Sequence, residues 1–158
     1  MLRLVHGIVT DVFCILSLIF VIHQGVLAQS IQVKGGNVTL SISNGTAGGQ
    51  LLDVVNTTTT LAYQKQNATA KITVKTVCLG QNFNLEVVAI NVTAGVAAPT
   101  VLLLNGGPAI DFVRDIPKNG TKNQTCRLQY TASSTFAQGN SNELNNDVHT
   151  VTYTIQLQ

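Results

Sequence analysis

Residues 70–78 read AKITVKTVC, and this stretch decides the fold because its apolar side chains recur at every second position. One face would carry Ala70, Ile72, Val74, Thr76 and Cys78, and the other would carry Lys71, Thr73 and Lys75. Successive side chains of a β-strand point to opposite faces of its sheet, so one face would be buried and the other hydrated. The stretch therefore predicts a strand of an antiparallel sheet with one face in water.

The same alternation recurs along the rest of the chain. It predicts further strands over 38–42, 52–63, 83–89, 101–104, 126–130 and 148–157. Clusters of glycine, asparagine and proline separate these strands, and no window shows a sustained helical period. We predict an all-β fold, a single immunoglobulin-like antiparallel β-sandwich of about seven to eight strands. The chain contains no tryptophan, which disfavours a domain of the antibody type.

The N-terminal residues 1–28 have the pattern of a cleaved secretory signal peptide. An apolar run covers 13–22, and Ala28 is the small residue before the predicted cut. A run of about 10 residues is much shorter than the roughly 20 that span a bilayer, which disfavours a membrane anchor. We expect a protein that is secreted to the extracellular space or the cell surface, with no membrane span. Its parts would be an N-terminal arm over 29–36 and the sandwich domain over 37–158.

Two cysteines, Cys78 and Cys126, follow the predicted signal peptide, each on the apolar face of a predicted strand. In an oxidising compartment such a pair usually forms a disulfide, and the long loop would make it worth about 4 kcal/mol. Zinc is the competing use of cysteine, but no histidine lies near either residue in the sequence. We therefore predict a disulfide between Cys78 and Cys126 and no metal site.

The N-terminal arm alternates in the same way, with Ile31 and Val33 on one face before Gly35 and Gly36 interrupt the pattern. The arm could pair with its own sheet as a terminal strand. It could instead insert into a neighbouring subunit, because an edge strand accepts an added strand through main-chain hydrogen bonds. Both alternatives are compatible with the sequence.

Polar positions on the predicted surface suggest glycans. Seven N-x-S/T sequons make candidate N-glycosylation sites at Asn37, Asn44, Asn56, Asn67, Asn91, Asn119 and Asn123. Chance also produces sequons in a chain rich in asparagine and threonine. Rows of threonine such as 57–60 could bind carbohydrate, although they more often form the hydrated face of an antiparallel sheet.

The charged residues do not indicate an enzyme or a nucleic-acid-binding protein. Only 10% of the 158 residues are charged and the formal net charge is +2, so no basic face for nucleic acid is expected. After the predicted signal peptide His149 is the one histidine, and no nucleophile–base pattern accompanies it. Asp111, Arg114 and Asp115 are expected to form a surface ion cluster. We predict no catalytic residues and no cofactor.

Several strand-forming stretches within residues 56–157 resemble a group of small, uncharacterised secreted bacterial β-sandwich proteins. The stretches are NTTTTLAY at 56–63, AKITV at 70–74, DFVRDI at 111–116, CRLQY at 126–130 and VTYTI at 151–155. The closing strand is also similar to those of secreted pilin-like subunits of the spore-coat-U type. The resemblance implies an extracellular or surface protein, with a fibre subunit as one form, and it implies no catalytic residues.

Our expected function is that of a secreted structural protein, a subunit of an extracellular filament or surface matrix. Its partners would be further copies of itself in a homo-oligomer or helical polymer, with Ile31 and Val33 as the inserted side chains. The alternative is a monomeric extracellular carbohydrate-binding module with an exposed aromatic platform. Phe112 and Phe136 are the candidates for that platform, because they lie near predicted loops.

Overall fold

The computed structural model describes residues 29–42, 51–64, 68–118, 122–134 and 146–158. The predicted signal peptide over 1–28 lies outside the described residues. All regular secondary structure in the described part is β-strand. Within these ranges, no helix is long and apolar enough to cross a membrane.

Nine strands form two sheets. The strands are β1 (Ser30–Lys34), β2 (Val54–Gln64), β3 (Ala70–Val77), β4 (Asn84–Ile90), β5 (Val96–Ala97), β6 (Val101–Leu102), β7 (Ile110–Ile116), β8 (Gln124–Ser133) and β9 (Thr150–Leu157). A five-stranded sheet has the order β1-β2-β8-β4-β6, and a four-stranded sheet has the order β5-β7-β3-β9. All named strands pair antiparallel. The predicted antiparallel β-sandwich is confirmed, with more strands than the alternation predicts.

The inward faces of the two sheets share one core, because the alternation places apolar side chains on those faces. The largest fully buried side chains are Tyr63, Phe112, Leu61, Ile72, Leu103, Ile116 and Leu128. The rings of Phe112 and Tyr153 lie 5.2 Å apart, and the hydroxyl oxygens of Tyr130 and Tyr153 are 2.9 Å apart. Aromatic side chains therefore fill the space between the sheets.

The alternation misses two strands, β5 and β7. β7 carries three charged side chains, and its register against β3 shifts on both sides of Ile72. Such bulges place neighbouring residues on the same face of a strand. Phe112 and Val113 are accordingly both buried, which removes the period of two that identifies a strand.

The N-terminal strand β1 pairs with β2 of the same chain. Ile31 lies opposite Tyr63 and Val33 lies opposite Leu61, at the edge of the five-stranded sheet. Ile31 is half-buried, whereas Val33 is 45% exposed. Of the two alternatives for this arm, pairing within its own sheet is the one that the structure contains.

Segment 37–42 follows β1 after a bend at Gly35 and Gly36, whose φ angles are 115° and 74°. Val38 and Leu40 of this segment pack against the core, as their alternation predicts. The segment has no ladder partner among the described residues, so the hydrogen-bonded strand predicted over 38–42 is wrong. The alternation of apolar and polar residues indicates that one face of a segment is buried. It does not show that a neighbouring strand lies at hydrogen-bonding distance.

Candidate functional site

The last strand, β9, forms one edge of the four-stranded sheet. It pairs with β3 along its full length, and no other described strand pairs with it. Val151, Tyr153 and Ile155 point toward the core, while Thr152 and Thr154 face solvent. The outer main chain of β9 therefore presents hydrogen-bonding groups without a strand partner in the described part of the chain.

A groove of about 870 Å³ lies between this edge and segment 37–42. The apolar lining includes Val38, Leu40, Val151 and Tyr153, and the residues before β9 form part of the same wall. The groove exists because segment 37–42 leaves the five-stranded sheet without joining β9. Its walls combine apolar and polar side chains beside the open edge of β9, a setting in which an extended chain could pair with the edge and place alternate side chains in the groove.

Two buried hydroxyl groups line the groove without a hydrogen-bond partner in the described residues. They are Oγ1 of Thr59 and Oγ of Ser134, in residues that are 1% and 6% exposed. An unpaired buried polar group typically costs about 1–3 kcal/mol. Each of these oxygens exposes less than 1 Å², so a chain in the groove would pack over them without contacting them directly.

A cluster of three different ligand-type side chains lies where β3 ends and β9 begins. Cys78 follows β3, and Asp147 and His149 precede β9; one ligand atom from each lies within 4.8 Å of the other two. We call these three residues the Cys78 cluster. The register of β3 and β9 pairs Val77 with Thr150, so the next pair along is Cys78 with His149.

Neighbouring groups hold the carboxylate and the imidazole in place. The Asp147 carboxylate accepts the backbone N–H of Asn82 at 2.9 Å and that of Phe83 at 2.8 Å. Nδ1 of His149 lies 3.2 Å from Oγ1 of Thr76, and its Nε2 lies 4.0 Å from Oδ2 of Asp147. Both side chains are thus fixed by groups outside the cluster.

Burial sets the protonation of the cluster. It raises the pKa of the Cys78 thiol, and the Asp147 charge raises it further, against a hydrogen bond from the Val148 backbone. Burial also lowers the pKa of His149, with the Asp147 charge acting in the opposite direction. These pKa shifts favour a neutral Cys78 thiol beside a neutral His149 imidazole.

The cluster does not have the arrangement of a nucleophilic cysteine. In such a site one imidazole nitrogen takes the thiol proton while the other is held by the carboxylate. Here Nδ1 faces the Thr76 hydroxyl and Asp147 lies on the side of Nε2, so the carboxylate does not hold the ring nitrogen opposite the one that would take the thiol proton. Cys78 is only 1% exposed, so a substrate would not reach its sulfur.

The predicted disulfide between Cys78 and Cys126 is absent, and both are free, buried thiols. Cys126 lies opposite Leu61, close to the end of β2 that leads into β3. Cys78 follows the far end of β3, which is 8 residues long. Eight strand residues span roughly 25 Å, whereas a disulfide requires Cα atoms within about 7 Å. The expectation that no histidine is near either cysteine is also wrong, because it considered closeness in sequence alone.

The candidate glycosylation sites fall into three groups. Asn37, Asn91 and Asn123 are exposed. Asn56 is half-buried, and its Oδ1 accepts hydrogen bonds from the backbone N–H and the hydroxyl of Thr58. Asn44, Asn67 and Asn119 lie outside the described residues. Occupancy of all seven sequons stays a prediction.

Two further sequence-based expectations are corrected. Phe112 is 1% exposed because it packs on Tyr153, so it cannot serve as an exposed platform; Phe136 lies outside the described residues. Asp111 forms its ion pair with Lys71 of the neighbouring strand, at 2.8 Å, instead of with Arg114. No described aromatic side chain is exposed, and the carbohydrate-binding alternative gains no support from the structure.

Comparison with known proteins adds no relative. No family model, no curated protein and no solved structure matches this chain at a significant level. The resemblance to secreted bacterial sandwich proteins and pilin-like subunits therefore stays a prediction.

Proposed function

We propose that this protein is a secreted structural subunit that assembles into an extracellular filament or surface matrix by β-strand addition. The observation that carries the proposal is the open edge of β9 beside the groove that Val38, Leu40, Val151 and Tyr153 help to line. A strand from a second copy would pair with the main chain of β9 and place alternate side chains in the groove.

Two kinds of interaction favour such an added strand. Each main-chain hydrogen bond to β9 would contribute about 0.5–1.5 kcal/mol and would offset one that the donor strand gives up in its own copy. Each aliphatic side chain that becomes fully buried in the groove would contribute about 1.5–3 kcal/mol, which is the net gain.

The donor that we propose is β1 of the next copy, with Ile31 and Val33 as the inserted side chains. β1 is the least buried of the longer strands, since four of its five residues are exposed. Its hydrogen bonds to β2 would be replaced by hydrogen bonds to β9 of the other copy, while Val33 would lose its 45% exposure. Gly35 and Gly36 supply the bend at which the strand could redirect.

The donor strand β1 and the open edge of β9 are different parts of the same chain, and of the two donor side chains only Val33 also lines the groove. Contacts of this heterologous kind build open filaments unless a rotation closes the assembly into a ring. Each copy would donate one strand and accept one, so growth would proceed from copy to copy. The expected product is a fibre one subunit thick.

Negative-stain electron microscopy of the purified protein is the first test. We expect filaments from the native chain and dispersed particles from Val151→Lys, because the new charge would occupy the groove wall. Thr152→Lys is the matched control, since its side chain is next along β9 but faces solvent. It should leave filaments intact. Native protein that stays as dispersed single-domain particles at high concentration would refute the proposal.

A chain without residues 29–34 tests the donor assignment. It keeps the edge of β9 and every groove-lining residue except Val33 but has no strand to donate, so it should cap growing ends. Added in excess to native protein, it should shorten the filaments, whereas Thr152→Lys, which keeps both the donor strand and the groove, should leave their length unchanged. Unchanged filament length with the deleted chain would exclude β1 as the donor.

A further inference from the structure

We propose that the Cys78 cluster is a Zn²⁺ site, with Cys78 Sγ, a carboxylate oxygen of Asp147 and His149 Nε2 as the three protein ligands. This inference does not depend on strand addition, because all three ligands belong to one chain. The site would join the end of β3 to the start of β9.

The spacing of the donor atoms suits a tetrahedral ion. Zn²⁺ binds sulfur at about 2.3 Å and nitrogen or oxygen at about 2.0–2.2 Å, which separates neighbouring ligands by roughly 3.5 Å. The three donor atoms of the cluster already lie within 4.8 Å of one another. Side-chain movements of roughly 1 Å would therefore complete the three-ligand geometry.

The surroundings of the cluster match the outer shell of a metal site. A ligating histidine usually donates its other ring N–H to a fixed oxygen, which sets the tautomer. Here Nδ1 of His149 lies 3.2 Å from the Thr76 hydroxyl, and that hydroxyl lies 3.4 Å from the carbonyl oxygen of Thr150, to which it can donate in turn. Nε2 is thereby left free on the side of Asp147 and Cys78.

The carboxylate has the same kind of support. Two backbone N–H groups, from Asn82 and Phe83, donate to Asp147 and hold it against the cluster. The carboxylate and the imidazole are thus each held by groups that would not bind the metal themselves.

The donor set selects the class of ion. A thiolate and an imidazole favour zinc and its neighbours over magnesium or calcium, which prefer oxygen ligands. When the ion binds, the Cys78 S–H bond breaks, the proton leaves to solvent and the sulfur lone pair forms the bond to Zn²⁺. Asp147 and His149 also line the groove, so the fourth coordination position would face it and hold water.

The test is calorimetric titration of the purified chain with Zn²⁺, together with absorption spectra after loading with Co²⁺. We expect one ion per chain and a thiolate-to-cobalt charge-transfer band. Cys78→Ala should abolish the band and His149→Ala should abolish stoichiometric binding. Cys126→Ala is the matched control, because it removes the other buried thiol and should leave both readouts unchanged.

Thr76→Val tests the positioning role of the hydroxyl. It should weaken Zn²⁺ binding by about 10- to 100-fold, the range for outer-shell partners, and should keep the cobalt band. Circular dichroism of each variant establishes that the sandwich is folded. If a ligand variant is unfolded, the spectrum of the native chain decides, since a cobalt band requires a thiolate ligand.

Absence of stoichiometric Zn²⁺ binding by the native chain, or binding that survives in both ligand variants, overturns the inference. The outcome is separable from that of strand addition. A chain that binds Zn²⁺ but forms no filaments would uphold this site and refute the assembly. A chain that forms filaments but binds no Zn²⁺ would refute this site and uphold the assembly.

Discussion

The hydroxyl groups of three tyrosines lie inside the core, and each has a hydrogen-bond partner. The hydroxyl of Tyr63 donates to the Ala94 carbonyl oxygen at 2.6 Å, and those of Tyr130 and Tyr153 lie 2.9 Å from each other. A buried tyrosine hydroxyl without a hydrogen-bond partner would destabilise the fold by more than one of these hydrogen bonds stabilises it. The tyrosines therefore tie the core together only as long as they remain protonated.

Alkaline pH should destabilise the protein in part through Tyr63. Burial, assisted by the nearby Cys126 thiol, raises the pKa of Tyr63 from 10.0 to about 12, although the bond to Ala94 opposes the shift. Because the folded pKa is the higher one, this tyrosine stabilises the fold fully below pH 10 and loses that effect as pH rises toward 12. Thermal melts from pH 8 to 12 should show a falling Tm, and Tyr63→Phe should make the fall less steep. Parallel pH profiles would contradict the assignment.

At the scale of elements, the sequence predicts best where one face of a strand is buried and the other is hydrated. β8 and β9 follow this pattern, β3 follows it except at Thr73, which is buried on the face predicted to be hydrated, and the alternation identifies all three strands. It fails for β7, where bulges bury Phe112 and Val113 side by side. The alternation also predicts a strand within segment 37–42, whose apolar side chains are half-buried but which pairs with no described strand.

The candidate sites are less predictable than the strands, because they depend on which strands meet. The ligands of the Cys78 cluster are distant in sequence, and the pairing of Val77 with Thr150 brings them together. Alternation gives the strands but not their order in the sheets. The groove is equally hidden from the sequence, since it arises where segment 37–42 and β9 do not join.

The bend between β1 and segment 37–42 offers a matched pair of glycines. Both have a left-handed φ, but a Cβ at Gly35 would lie 3.0 Å from the Cα of Thr59, whereas a Cβ at Gly36 would meet nothing within 4 Å. Gly36→Ala should cost about 1 kcal/mol from backbone strain alone. Gly35→Ala should cost more, because β1 must also move away from β2.

Chemical denaturation of both glycine variants measures this difference as a change in the free energy of unfolding. Equal losses in the two variants would mean that β1 does not pack at this point as the structure describes. A larger loss for Gly36→Ala would contradict the contact with Thr59 outright.

For the whole molecule, stability comes from the packed core without a covalent cross-link between the sheets. Both buried cysteines are free thiols, and burial raises the pKa of Cys126 to about 12. A thiol that is buried and protonated reacts slowly with disulfide reagents. The fold should therefore behave in the same way under oxidising and reducing conditions.

A reductant should leave the Tm of the protein unchanged. Loss of a native disulfide typically costs 2–5 kcal/mol, so a bridge between the cysteines would produce a clear drop. Thermal melts with and without dithiothreitol measure this directly. Thiol titration should find Cys78 and Cys126 unreactive in the native protein and reactive after denaturation. A Tm that falls when reductant is added would contradict this prediction and indicate that the two cysteines form a disulfide.

The pairing of β3 with β9 joins two strands that lie more than 70 residues apart in the sequence. Ribosomes synthesise chains from the N-terminus, so β3 is complete long before its partner exists. During that interval the four-stranded sheet lacks β9, and Tyr153 is not yet present to close the core. The sandwich can therefore be completed only after β9 has been synthesised, and until then the nascent chain depends on its surroundings to keep β3 from wrong partners.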